Sequence, residues 1–169
     1  ERCSGTNIAR WLISNNLKLR HNDLCGWKHG FPEGVGISPH SLIVVVFRDA
    51  MDWVQSLYRK PFHTHPDLRE LPFADFIRHP WNTIVDRPAH LGVKGIVGVR
   101  KRPIQSDRHP LTGEMFANPI ALRNAKNAAF LGFRNREVNY CFVRHEVFMA
   151  DKLAVLEALA KRFGLAFDG

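Results

Sequence analysis

The chain has 169 residues and a formal net charge of +8, from 24 Lys and Arg against 16 Asp and Glu. This length favours one domain over 1–169 with a single core. The longest apolar run, Leu42–Phe47, is far shorter than the roughly 20 residues that cross a bilayer, so no membrane span is expected. Three widely spaced Cys argue against a disulfide framework or a zinc site and favour a reducing, cytoplasmic location. The positive charge predicts an anionic partner, but charge alone does not distinguish nucleic acid, an acidic membrane face, a phosphorylated cofactor or an anionic substrate.

The N-terminus carries a turn followed by a helical pattern. The segment Ser4–Asn7, with sequence Ser-Gly-Thr-Asn, is typical of a turn and helix cap. The apolar stripe that predicts the helix consists of Ile8, Trp11, Leu12 and Leu17. In strand–helix units a strand precedes such a turn, so we expect the first strand of the domain to be missing ahead of it. Leu24–Lys28 is predicted as a further strand.

The clearest strand pattern is Ser41–Phe47, which is continuously apolar after its first residue and rich in β-branched side chains. Such a run predicts a strand buried on both faces, as in parallel sheets covered by helices. Helical spacing follows directly over Asp49–Lys60, and Pro61 ends it. A strand joined so closely to a helix is half of a βαβ unit.

The pattern loosens between residues 61 and 120, where Phe73–His79 predicts a short helix and Gly92–Val99 fits either a strand or an extended loop. Order returns with the predicted helix Pro119–Leu131 and the predicted strand Val138–Val143. A last helix is predicted over Asp151–Phe163. The alternation of strands and helices predicts an α/β domain with a mostly parallel sheet.

Three patterns suited to anion chemistry lie where predicted strands meet loops or helices. Ser4–Asn7 opens a helix, whose free N–H groups attract phosphate, although a plain helix cap is an alternative. Arg48 ends the buried strand and Ser56 follows eight residues later; an Arg fork suits phosphate, although a surface pair with Asp52 is the alternative. Lys28-His29 offers a point charge and a candidate base, or simply a solvated loop.

The motifs and their order along the chain resemble those of the sulfotransferases that use 3′-phosphoadenosine 5′-phosphosulfate (PAPS). In that family a Ser-Gly-Thr loop binds the 5′-phosphosulfate, and a strand-ending Arg with a Ser eight residues downstream binds the 3′-phosphate. A strand ending Lys-Thr-His-Leu-Pro is similar to Lys28–Pro32, where the Lys and Pro are kept. A strand followed by Arg-Tyr-Glu-Asp-Leu is similar to the segment Arg144–Phe148.

The resemblance implies a P-loop-like, three-layer fold and transfer of a sulfuryl group from PAPS to a hydroxyl or amine, with no metal. The donor-binding residues that it implies are Arg2, Ser4, Gly5, Thr6, Asn7, Arg48, Ser56 and Arg123. Lys28 would stabilise charge on the sulfuryl group or leaving oxygen. His29 is the leading candidate base, with Glu33 as an alternative, and the irregular insert 61–120 would lie on the acceptor side.

The chain departs from the family pattern at several positions. Cys3 stands where the family has a basic residue, and His145 stands where it has a Tyr near the adenine. The C-terminal Arg-Lys-Gly clamp of many members is absent, so Arg123 and Lys126 are candidates to compensate. Because Cys3 precedes a helix N-terminus, we also expect a lowered thiol pKa.

Two other function classes remain open. One is a divergent P-loop nucleotide kinase, although no Gly-x-x-x-x-Gly-Lys-Ser/Thr string occurs. The other is a non-catalytic basic module that binds RNA or acidic glycans. Since a cofactor with several negative charges would account for part of the positive charge, we expect no nucleic-acid partner. The remaining basic residues, around Arg100–Arg102, predict an acceptor that is itself anionic.

Overall fold

The structure is a computed structural model that describes residues 2–23, 25–34 and 36–168. The helices are α1 (Thr6–Asn16), α2 (Ala50–Arg59), α3 (Pro66–Arg69), α4 (Phe73–Phe76), α5 (Pro119–Leu131), α6 (His145–Ala150) and α7 (Lys152–Phe163). The strands are β1 (Leu42–Phe47) and β2 (Asn139–Arg144). Short 3₁₀ turns lie at Pro88–Leu91, Gln105–Asp107 and Gly132–Asn135.

β1 and β2 form a parallel pair, with Leu42 opposite Asn139 and Phe47 opposite Arg144. Successive residues of a strand point to opposite faces, and the consecutive Val45 and Val46 are both buried. Both faces of β1 are therefore covered, as its apolar run predicts. The predicted α/β class with parallel pairing is confirmed, in a sheet that has two strands within the described residues.

The predicted strand Leu24–Lys28 is wrong over its described part, and Leu24 lies outside the described residues. Gly26 has a left-handed φ of 77° and its N–H donates to the Asp23 carbonyl at 2.9 Å. Turns of this kind cannot continue a strand ladder. The segment 92–99 likewise forms successive turns, so of its two predicted conformations the loop is correct.

Side-chain caps fix the starts of α2, α5 and α7 close to their predicted positions. The Asp49 carboxylate accepts from the N–H of Met51 at 2.9 Å, and the Asp151 carboxylate accepts from that of Ala154 at 2.9 Å. Asn118 caps α5 in the same way, ahead of the proline that opens this helix. The helix predicted over Phe73–His79 is shorter, because α4 ends at Phe76.

Two apolar clusters form the core. One joins α1 and α7 to the β1–β2 pair and includes Ile13, Val46 and Leu159. The other joins α2 and α5 to the segment 61–120 and includes Trp53 and Phe76.

The predicted apolar stripe of α1 is partly wrong. α1 buries Ala9 and Ile13, whereas the side chain of Trp11 is 64% exposed. Ala9, Ile13 and the following Leu17 are spaced four residues apart, so they form one face, and this face packs into the core.

A groove of about 420 Å³ runs beside β1. It is lined by Leu42–Val46 of β1, by Ala9 and Ile13 of α1, and by the segment Cys25–Lys28. The edge of β1 that does not pair with β2 carries no strand within the described residues. None of the helices described is both long and apolar enough to cross a membrane.

Candidate donor-binding site

The N-terminal loop, which comprises residues 2–5 and leads into the first turn of α1 at Thr6 and Asn7, lies against the junction of β1 and α2. Arg48, directly after β1, donates from Nη1 to the Cys3 carbonyl at 3.0 Å. Trp53 of α2 donates from its indole nitrogen to the Arg2 carbonyl at 2.8 Å. These contacts bring two sequence-predicted patterns, the Ser-Gly-Thr loop and the strand-ending Arg, to the carboxyl end of β1. In open α/β sheets ligands bind at this end of the strands.

The loop leads directly into α1 through Gly5, which has a φ of 72° and is the N-cap residue. Gly5 has no side chain to cap this helix start, so the N-cap position leaves the amides of the first turn without the usual side-chain acceptor. Ser4 is fully buried and donates from Oγ to the Arg2 carbonyl at 3.3 Å. Thr6 is half-buried and Asn7 is exposed.

His145, the first residue of α6, packs on Gly5. A Cβ added to Gly5 would lie 2.6 Å from Nδ1 of this imidazole, closer than any real contact. Burial, followed by the positive charge of Arg48, lowers the pKa of His145. The resemblance implies a position near an adenine for this residue; in the structure its ring lies against the N-terminal loop.

Gly5→Ala should lower the free energy of unfolding by about 2–3 kcal/mol. The substitution adds left-handed backbone strain to the collision with His145. The matched control is Gly113→Ala, which has a φ of 73° but nothing within 4 Å of an added Cβ; it should cost only about 1 kcal/mol. Urea denaturation measures both variants, and an equal loss in the two would contradict the close contact with His145.

Two further predicted residues, Ser56 and Arg123, approach the same junction. The Ser56 hydroxyl lies close enough to the Cys3 thiol to lower the pKa of that thiol. Arg123 of α5 donates from Nη2 to the Arg48 carbonyl at 2.5 Å, and its guanidinium lies 5.0 Å from the centre of the Trp53 ring. Arg48 and Ser56 therefore lie beside Cys3, and Arg123 of α5 reaches the same junction through the Arg48 carbonyl.

The expected lowering of the Cys3 pKa is wrong. Burial raises the pKa of this thiol, and it outweighs the opposing effects of the Ser56 hydrogen bond and the charges of Arg2 and Arg48. A thiolate in this position would lose its hydration, so the neutral thiol is favoured.

The candidate catalytic pair Lys28 and His29 faces two different spaces. Lys28 lines the groove beside β1 and its Nζ hydrogen-bonds Oδ1 of Asn7 in the first turn of α1. Burial lowers the pKa of Lys28. His29 instead lines a small cavity of about 30 Å³, together with Trp53 and Trp81.

His29 is held in its neutral form. Burial, followed by the positive charges of Arg2, Lys28 and Lys126, keeps the pKa of His29 well below its usual value. Its Nδ1 atom is buried and has no hydrogen-bond partner among the described residues. A neutral imidazole is the form that accepts a proton, but a depressed pKa makes it a weaker base.

The sequence did not predict the buried ion cluster formed by Asp107, Arg2 and Lys126. Asp107 is 1% exposed, and its carboxylate pairs with the Arg2 guanidinium and with Lys126 Nζ, the latter at 2.5 Å. Burial raises the pKa of Asp107, but the two cations more than offset this, and the pKa lies below its ordinary value. Lys126 also donates to the His29 carbonyl at 2.6 Å.

The ion cluster changes what Arg2 and Lys126 can contribute to anion binding. Both side chains are almost fully buried and directed at a carboxylate, which already neutralises one of their two charges. In the sequence, Asp107 stands out only as the one acidic residue between Asp86 and Glu114. Its burial, however, depends on contacts between segments about twenty and about a hundred residues apart.

Comparison of the chain with protein-family models, with curated proteins and with solved structures finds no significant match. Among the residues described, no group of three or more His, Cys, Asp or Glu side chains is arranged to hold a metal ion.

Proposed function

We propose that this protein transfers a sulfuryl group from PAPS to a hydroxyl or amine acceptor. The observation that carries the proposal is the convergence of the N-terminal loop, Arg48, Ser56 and Arg123 at the carboxyl end of β1. These residues come from segments far apart in the sequence. We also propose that the fold is P-loop-like with three layers and that the protein is cytoplasmic.

The residues at this junction offer hydrogen-bond donors at two places, which suits a nucleotide that carries phosphate at two positions. The uncapped start of α1 offers backbone amides and the positive end of a helix dipole to the 5′-phosphosulfate. Arg48 is half-buried and donates to the Cys3 carbonyl from Nη1 alone among its described hydrogen bonds; its guanidinium is the group that we propose for the 3′-phosphate. Ser56 adds a hydroxyl beside it. Arg2, directed at Asp107, supports the loop through its carbonyl instead of its charge.

Sulfuryl transfer resembles phosphoryl transfer, in which the protein mainly positions an in-line attack and neutralises oxygen charge. In the proposed reaction, Lys28 beside Asn7 supplies the positive charge at the transferring group. His29 remains the leading candidate for the base because its imidazole is neutral, although it lines a different space from Lys28. Glu33, the alternative, is exposed.

Calorimetric titration tests the proposal with 3′-phosphoadenosine 5′-phosphate, the product nucleotide. We expect binding that is unchanged by EDTA and at least roughly tenfold weaker for 5′-AMP, which lacks the 3′-phosphate contacts. Absence of binding by the product nucleotide would overturn the proposal. Magnesium-dependent binding of ATP in preference to this nucleotide would instead identify a kinase.

A further inference from the structure

A loop over residues 87–102, called here the basic loop, projects from the insert. Its base is closed by an antiparallel bridge between Ile84 and Pro103 and by hydrogen bonds of 2.8 Å from Lys101 N to Val85 O and from Val85 N to Arg102 O. Its Gly residues at 92, 95 and 98 all have positive φ, and a Cβ on any of them would meet nothing within 4 Å. The loop is therefore a series of turns standing clear of the body.

The basic loop carries positive charge without a compensating carboxylate. Its cations are Arg87, Lys94, Arg100, Lys101 and Arg102, and all five are exposed. The range contains no Asp or Glu, and none of these cations forms an ion pair within the described part of the chain. The nearest acidic residues in sequence are already engaged: Asp86 pairs with Arg69 at 3.1 Å, and Asp107 is buried.

Two apolar side chains stand among these charges. Val97 is 97% exposed and Ile96 is 58% exposed, in the stretch between Lys94 and Arg100. Nearby Phe62, 41% exposed, lies under the Arg87 guanidinium at 4.1 Å. Exposed apolar side chains bounded by cations match the chemistry of a bilayer interface, where apolar groups enter the acyl boundary and cations face lipid phosphates.

We propose that the basic loop docks this protein on an anionic lipid surface, with Ile96 and Val97 entering the headgroup region. The segment 87–102 has no Phe, Tyr or Trp on which a nucleic-acid base would stack. An acidic polysaccharide would use the cations but leave the two apolar side chains in water. The inference does not depend on the proposed sulfuryl transfer.

Such docking is weak, reversible and sensitive to salt. Each basic residue near an anionic membrane strengthens binding about fivefold, and the effect fades within a Debye length. We therefore expect the protein to bind vesicles of phosphatidylcholine mixed with phosphatidylserine, and to bind vesicles of phosphatidylcholine alone far more weakly.

Vesicle co-sedimentation tests the inference with two variants in the basic loop. The triple variant Arg100→Ala/Lys101→Ala/Arg102→Ala should weaken binding roughly a hundredfold. The double variant Ile96→Ser/Val97→Ser, which keeps every charge, should weaken it roughly tenfold. The matched controls are Lys161→Ala/Arg162→Ala on α7 and Leu111→Ser, which is 89% exposed outside the loop; both should bind like the wild type.

Several outcomes would overturn the inference. Lipid docking is contradicted if phosphatidylserine does not strengthen vesicle binding by the wild type. It is also contradicted if the Ile96→Ser/Val97→Ser variant binds mixed vesicles as tightly as the wild type. Binding to heparin without binding to mixed vesicles would assign the basic loop to acidic polysaccharides instead. Circular dichroism checks that the variants fold. Titration with 3′-phosphoadenosine 5′-phosphate is a separate measurement, so a failure of the proposed sulfuryl transfer can be distinguished from a failure of lipid docking.

Discussion

Asp107→Ala should lower the free energy of unfolding by about 3–5 kcal/mol. The substitution leaves Arg2 and Lys126 facing each other with their side chains only 12% and 8% exposed and no carboxylate between them. Two uncompensated cations in such a place lose hydration and repel each other. Urea denaturation measures the loss.

The matched control for this prediction is Asp168→Ala. Asp168 pairs with Lys18 at 2.7 Å, but both side chains are 62% exposed, so its removal should cost less than about 1 kcal/mol. Adding Lys126→Met to Asp107→Ala should recover part of the stability, since it removes one of the stranded cations. Equal losses from the two Asp variants would show that the buried cluster is not a structural element.

Arg48→Ala should weaken binding of 3′-phosphoadenosine 5′-phosphate by roughly a hundredfold or more. The variant loses the guanidinium proposed to contact the 3′-phosphate, and it also removes the 3.0 Å hydrogen bond that holds the Cys3 carbonyl of the N-terminal loop. Calorimetry measures the loss, and the affinity for 5′-AMP should fall much less.

The control for Arg48 is Arg59→Ala, the same chemical change at the exposed end of α2, where the side chain hydrogen-bonds Gln55. It should leave nucleotide binding unchanged. Arg48→Lys separates charge from geometry, because Lys keeps the charge but loses the planar fork; it should recover only a minor part of the affinity. If Arg48→Ala binds the nucleotide like Arg59→Ala does, the assigned 3′-phosphate contact is wrong.

Local sequence patterns predicted the elements whose residues carry strong and consistent signals. The β-branched run at 42–47 became β1, and Pro119 with its Asn118 cap opened α5 as predicted. Leu24–Lys28 failed because Gly26 favours a left-handed turn that apolar composition does not reveal. The inward face of α1 was partly mistaken because Trp11, its largest apolar side chain, lies outside the core.

The candidate site shows the same division between local and long-range information. The eight-residue spacing of Arg48 and Ser56 is visible in the sequence, and both side chains contact Cys3 in the structure. The ion cluster around Asp107 and the packing of His145 on Gly5 were not predictable, because each joins segments brought together only by the tertiary fold. For the same reason the sequence did not indicate that Lys28 and His29 face different spaces.

The pairing of β1 with β2 has a consequence for how this chain folds. Leu42 pairs with Asn139 across about a hundred residues, so the ladder cannot form until most of the chain has collapsed. Contacts this distant in sequence raise the contact order and slow the folding rate. The proposed donor site depends on the same strand pairing, since Arg48 immediately follows β1 and His145 immediately follows β2. We therefore expect the site to assemble late in folding.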